Sequence, residues 1–132
     1  MIIDDTDQRF SIGPSTIPGA GRGLFARTPL GAGDRLAVPG VLLRRGSVSD
    51  RCTSFADEYK FRIGDFVLLP CGLAAMVNHS PSPNTIKVVE GEDVFLELIQ
   101  DVKAGDEICV AYSDYALERW GIGAGVGEDG KG

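Results

Sequence analysis

Glycine and proline punctuate this chain so densely that few stretches are long enough for a helix of ordinary length. Breaks fall at Pro14, 18–23, 29–33, 39–40, Gly46, Gly64, 70–72, 81–83, Gly91 and Gly105. Glycine costs backbone entropy in a helix, and proline removes a donor and clashes with the preceding turn. A predominantly β layout follows. The segments between breaks predict strands over 23–27, 34–38, 41–45, 59–63, 66–69, 85–90, 94–98 and 107–111. Gly91-Glu92-Asp93, between two β-branched runs, predicts a hairpin turn, and Asp114 can cap one short helix over 115–120. Two further helical turns are expected near 47–55 and 73–76. The short echo between Leu30-Gly31-Ala32-Gly33-Asp34 and Val102-Lys103-Ala104-Gly105-Asp106 is what turn chemistry alone produces in two similar turns.

The 132 residues suit one domain over 10–120, with polar residues 1–9 and the glycine-rich stretch 121–132 loosely held at its ends. Cys52, Cys71 and Cys109 are odd in number and form no C-x-x-C pair, so neither a disulfide framework nor a metal site is expected. No secretory pattern or membrane span is written in the residues, which points to an intracellular protein, cytoplasmic or nuclear according to its source. Acidic residues outnumber basic ones 19 to 13, for a formal charge of −6. That balance argues against direct nucleic-acid binding and for a basic protein or peptide partner, although solubility alone would also explain it.

The residues that could carry chemistry lie in three places. Pro18-Gly19-Ala20-Gly21-Arg22-Gly23-Leu24-Phe25 runs from a loop into a strand, where missing side chains let either a tight turn or a ligand meet the main chain. It is not a dinucleotide fingerprint, because Leu24 stands where the third glycine belongs and no long helix follows. Asn78-His79-Ser80-Pro81-Ser82-Pro83-Asn84 sets polar groups directly after the apolar Leu73-Ala74-Ala75-Met76-Val77, and buried polar groups need partners. His79 is the only histidine, which leaves no parts for a multi-histidine metal site or a serine triad with spare members. Tyr112 ends an alternating strand and is followed by Ser113-Asp114-Tyr115, which gathers aromatic hydroxyls at a strand end.

In this order the three elements resemble the SET-domain protein-lysine methyltransferases over residues 10–120. The resemblance rests on Gly21-Arg22-Gly23-Leu24-Phe25-Ala26, on Tyr59-Lys60-Phe61, on the Asn-His-Ser-x-x-Pro-Asn run at 78–84, and on Gly105-Asp106-Glu107 leading to Tyr112. It implies a mainly β, SET-type β-clip fold of small curved sheets with short helices, in which 78–84 passes beneath the C-terminal segment as a pseudoknot. It further implies S-adenosylmethionine as cofactor, held by main-chain groups of Ala20, Gly21 and Arg22, by Asn78 and His79, and by Trp120 stacked on adenine. Tyr112 is the implied catalytic residue where cofactor and substrate lysine meet, and Tyr59, Val110, Tyr112 and Tyr115 are the implied lysine channel.

The family's substrates are lysines on histones and other proteins, and its smallest members include dimers, so a homodimer is an option. Ala75 stands where many members carry arginine, Pro81 where many carry cysteine, and the cysteine-rich segment of many histone-directed members is missing. The rival expectations are a catalytically silent SET-fold binding module and a purely structural β-clip domain.

Overall fold

The computed structural model describes residues 2–4 and 7–111. In chain order the strands are β1 (Phe10–Pro14), β2 (Arg22–Ala26), β3 (Arg35–Ala37), β4 (Gly40–Arg44), β5 (Phe61–Ile63), β6 (Phe66–Pro70), β7 (Asn78–His79), β8 (Thr85–Glu90), β9 (Asp93–Leu98) and β10 (Glu107–Val110). One α-helix, α1 (Val48–Cys52), and two 3₁₀ turns, at Ser54–Ala56 and Leu73–Met76, complete the described elements. The fold is mainly β, as the glycine and proline spacing requires. Two compact units divide it: Met1–Pro39 with Cys71–Ala111, and a second that includes Gly40–Pro70.

The first unit holds a seven-stranded sheet in the order β1-β2-β10-β8-β9-β3, with β7 also paired to β10. Strand β9 shows why these residues form strands: Val94, Leu96 and Leu98 are buried while Phe95 and Glu97 alternate with them on the other face. Its hairpin with β8 closes Glu90 against Asp93 through a two-residue turn, in which Gly91 takes φ 64. Asp93, expected in the turn, therefore belongs to the strand. Strand β10 is the hub. Its first half pairs antiparallel with β2, Ile108 against Leu24, and its second half runs parallel to β7 and β8. Pairing on both sides explains why Ile108, Cys109 and Val110 are all buried rather than alternating.

The two echoing segments are the same turn built twice. Asp34 Oδ2 accepts the Gly31 N–H and Asp106 Oδ2 accepts the Lys103 N–H, each at 2.9 Å. Gly33 and Gly105 supply matching φ values of 94 and 93, and Leu30 and Val102 pair with each other across the two turns.

The second unit is an antiparallel meander, β4-β6-β5. A Cβ at Gly40 would overlap the Leu69 carbonyl oxygen, so this close strand approach depends on glycine. The helical turn expected near 47–55 resolves into α1, whose N-cap Ser47 accepts the Asp50 N–H, followed by the 3₁₀ turn.

Two strands escaped the sequence pattern. Strand β1 shows too short an alternation before Gly13 and Pro14, and forms because β2 pairs with it residue for residue. Strand β7 is two residues long, Asn78 and His79, and forms because β10 lies alongside. The strand expected from Tyr59 starts at Phe61. The helix expected over 115–120 and the tail 121–132 lie outside the described residues, as does the C-terminal half of the expected pseudoknot. Among the described residues no helix is long and apolar enough to cross a membrane.

Candidate active site

Between β1 and β2, residues 15–21 form a loop that closes on itself. The Ser15 N–H donates to the Gly21 carbonyl at 2.8 Å and the Ala20 N–H to the Ile17 carbonyl at 3.1 Å. The Ile17 N–H donates to Ser15 Oγ at 3.0 Å. Gly19 and Gly21 take φ values of 78 and 76, and a Cβ built on either meets nothing among the described residues within 4 Å. No described residue covers the loop's main chain on that side, and side chains are disfavoured there by the positive φ.

Glu107, the first residue of β10, reaches this loop. Its Oε1 accepts the Thr16 N–H at 2.8 Å and the Thr16 hydroxyl at 2.7 Å. Its Oε2 accepts the Ser15 hydroxyl at 2.8 Å and the Asn78 amide at 3.0 Å. Asn78 Nδ2 also donates to the Arg22 carbonyl at 2.9 Å. Both partners are acceptors, so the amide's orientation follows from chemistry. The cluster sits over Gly23, where a Cβ would collide with Glu107 Oε2 and crowd Asn78. Glycine loop, Asn-His-Ser run and Gly-Asp-Glu turn thus converge on one carboxylate.

The electrostatics are anionic with neutral surroundings. Burial pushes the Glu107 carboxyl up, but donors on Thr16, Asn78 and Ser15 outweigh it and hold the group below the ordinary glutamate value. Burial lowers the His79 pKa to about 4, so its imidazole is neutral at pH 7. Burial, with the Glu107 charge behind it, raises the Cys109 thiol to about 11, which makes it unreactive at neutral pH.

The far end of the Asn-His-Ser-x-x-Pro-Asn run does different work. Asn84 Oδ1 accepts the Cys109 N–H at 2.8 Å, and its Nδ2 donates to the Glu107 carbonyl at 2.9 Å. The amide side chain therefore imitates a strand neighbour for β10. Thr85 Oγ1, fully buried, adds a bond of 2.8 Å to the Cys109 carbonyl. The polar run after an apolar stretch is explained on this side by β10 main chain.

Of the residues expected at a cofactor site, Gly21, Arg22 and Asn78 are brought together, with Ala20 in the same loop and His79 next to Asn78 in β7, opposite Val110. The Ala20 N–H is spent within the loop, and Asn78 spends its amide hydrogens on Arg22 and Glu107. Val110 is buried in the first unit, whereas Tyr59 belongs to the second and is 48% exposed. Tyr112, Tyr115 and Trp120 lie outside the described residues. Sequence reasoning missed Ser15, Thr16 and the side chain of Glu107 as members of the site. Only the Gly-Asp-Glu spacing hinted at Glu107, and nothing in Pro14-Ser15-Thr16 announced the other two. Among the described residues no group of three histidine, cysteine or acidic side chains could hold a metal.

The family model for the SET domain matches residues 21–113, which include Gly21 to Gly23, Asn78 and Glu107. The chain belongs to the SET-domain family. Solved structures similar to this SET domain include a Plasmodium falciparum protein described as a histone methyltransferase, with TM-score 0.63 and 20% identity over 81% of this chain and 95% of that one. A humanized mutant of the Chaetomium thermophilum Polycomb Repressive Complex 2, bound to the inhibitor GSK126, matches with TM-score 0.67 and 20% identity over 78% of this chain. An active Polycomb Repressive Complex 2 in its basal state matches with TM-score 0.67 and 21% identity over 78%. The SET domain spans 14% and 15% of those two Polycomb chains. At these identities the likeness establishes the fold. No curated protein matches the chain.

Proposed function

We propose that this SET domain transfers the methyl group of S-adenosylmethionine to a lysine side-chain amine of a protein substrate. One observation carries the reading: Glu107 and Asn78, both within the span matched by the family model, clamp the glycine loop that leads into the start of that span. The cluster suits the cofactor chemically. Gly19 and Gly21 leave main chain exposed to approach, the Glu107 carboxylate places a negative charge in the cluster, and His79 is neutral. Ala20, Gly21, Arg22, Asn78 and His79 would hold the cofactor, with Trp120 against the adenine. When bound, the cofactor supplies an electrophilic methyl group.

The chain's own residues must make the lysine reactive. An amine with pKa near 10.4 is protonated at pH 7, and presenting it neutral costs about 4–5 kcal/mol. An apolar channel disfavours the ammonium and offsets part of that cost. Tyr59, Val110, Tyr112 and Tyr115 are the residues assigned to the channel. The Tyr112 hydroxyl positions the amine and methyl rather than accepting a proton, because a phenol of pKa about 10 is a poor base at pH 7. The chain's formal charge of −6 favours a basic peptide around the target lysine, as histone tails provide.

Incubation with methyl-labelled S-adenosylmethionine and basic proteins, histones included, followed by mass spectrometry, tests the reading. Labelled methyl-lysine is the expected product, and Tyr112→Phe should slow turnover about 100-fold while cofactor binding persists. Cofactor binding without product from any substrate would identify a silent binding module instead. Absence of cofactor binding in calorimetry would leave a structural β-clip domain.

A further inference from the structure

Glu107 is an anion that four donors surround and with which no cation pairs among the described residues. Its partners come from two places 91 and 29 residues away along the chain, the loop at Thr16 and strand β7 at Asn78. Each carboxylate oxygen takes two donors, which uses all the acceptor sites a carboxylate has.

A glutamine would not fit the same cage. On the Oε1 side stands the Thr16 main-chain N–H, which can only donate. On the Oε2 side stands Asn78 Nδ2, whose second acceptor is the Arg22 carbonyl. Turning Asn78 over to accept from a glutamine would set its oxygen against that carbonyl. The glutamine NH₂ therefore meets a donor on whichever side it lies. The geometry demands an ionised carboxylate, with Gly23 beneath it leaving the room.

Little of this arrangement serves stability, because the Thr16 side of the cluster is exposed and water can replace those bonds. What it does is pin a loop that contains two left-handed glycines and lacks regular structure. We propose that Glu107 is a positioning residue: its carboxylate holds the 15–21 loop in the conformation that receives the amino-acid end of S-adenosylmethionine, and thereby sets cofactor affinity without touching the reacting atoms. This inference rests on the proposed methyl-transfer function.

The test compares wild type with Glu107→Gln in three measurements on the full chain: calorimetric binding of S-adenosylhomocysteine, methyl-transfer kinetics against S-adenosylmethionine, and amide exchange by NMR. In the variant the dissociation constant and the cofactor KM should rise about tenfold, with kcat at saturation within about twofold. Exchange of the Thr16 amide should accelerate by a similar factor, because a charged acceptor is replaced by a neutral amide in a cage that no longer fits it. Adding Thr16→Val to Glu107→Gln should cost no further affinity, since both act through one network.

A folded Glu107→Gln protein with unchanged affinity and KM, or with kcat reduced and KM unchanged, overturns the proposal. If that variant does not fold, Thr16→Val alone decides: about threefold weaker binding supports the clamp, and wild-type binding overturns it. Failure of the wild-type chain to bind S-adenosylhomocysteine would overturn the methyl-transfer reading and this inference with it. Wild-type binding that Glu107→Gln leaves untouched removes the inference alone.

Discussion

Lys60 in the second unit and Glu107 in the first are both charges gathered into hydrogen-bond clusters, and they are built in opposite ways. The Lys60 side chain is 0% exposed, and its ammonium donates to Asp50 Oδ1 and Asp57 Oδ1 at 2.8 Å and to the Asp50 carbonyl at 2.9 Å. Three donors meet three acceptors, two of them opposite charges. Burial opposes the ammonium, but bonds to Asp50 and Asp57 outweigh it and raise the Lys60 pKa. Glu107 has no counter-charge among the described residues, stays partly exposed and collects neutral donors from a loop and from Asn78. The first pattern locks α1 and the following turn to the residue ahead of β5. The second orients a loop that regular pairing does not hold. A charge sealed against its opposite belongs to the scaffold here, whereas the charge satisfied by neutral donors at the surface lies at the candidate site.

Breaking the sealed cluster should cost most. Lys60→Met removes the ammonium that Asp50 and Asp57 share, and urea denaturation should show a loss of about 3–5 kcal/mol. In the wild-type protein the Lys60 contribution is present below the ordinary lysine pKa of 10.5 and is lost only as pH rises through its raised folded value. The Asp50 contribution is present above 3.8 and is lost as pH falls through its lowered folded value.

Acid should expose the first unit sooner. The His79 pKa is lowered from 6.5 to about 4, so the unfolded chain binds a proton in that window that the folded chain refuses. Stability should therefore fall by about 3 kcal/mol as pH drops through the window, and His79→Asn should flatten the dependence of the urea midpoint on pH. A flat wild-type profile would mean that burial does not hold the His79 imidazole neutral in the folded chain.

The smallest effect sharpens the contrast. Glu107→Gln should lower unfolding stability by only about 1 kcal/mol, since water can reach the bonds it loses at Thr16. Were its loss to match that of Lys60→Met, the division between scaffold charge and site charge would fail.

How far the residues alone reached differs from element to element. Strands β8 and β9 were legible because branched residues alternate around a glycine turn, a local property. Strand β7 was not, because two polar residues become a strand only when β10 supplies the second side of the ladder. The Asn78–Asn84 run was recognisable as one motif, but its division of labour was hidden. Asn78 serves the loop and Asn84 serves β10, and that depends on which atoms lie within 3 Å of each amide. Ser15 and Thr16 carried no signal, since a hydroxyl and a main-chain N–H become significant only when a distant carboxylate arrives.

The sequence by itself determined the β class, through glycine and proline spacing that denies helices their length, and it determined the family, through short motifs whose order survives along the chain. Only the tertiary structure decided that Glu107 is the point where those motifs meet. Backbone preference acts over a few residues and can be read locally. Hydrogen-bond satisfaction of a carboxylate depends on donors 29 to 92 residues away in sequence, and folding alone brings them within reach.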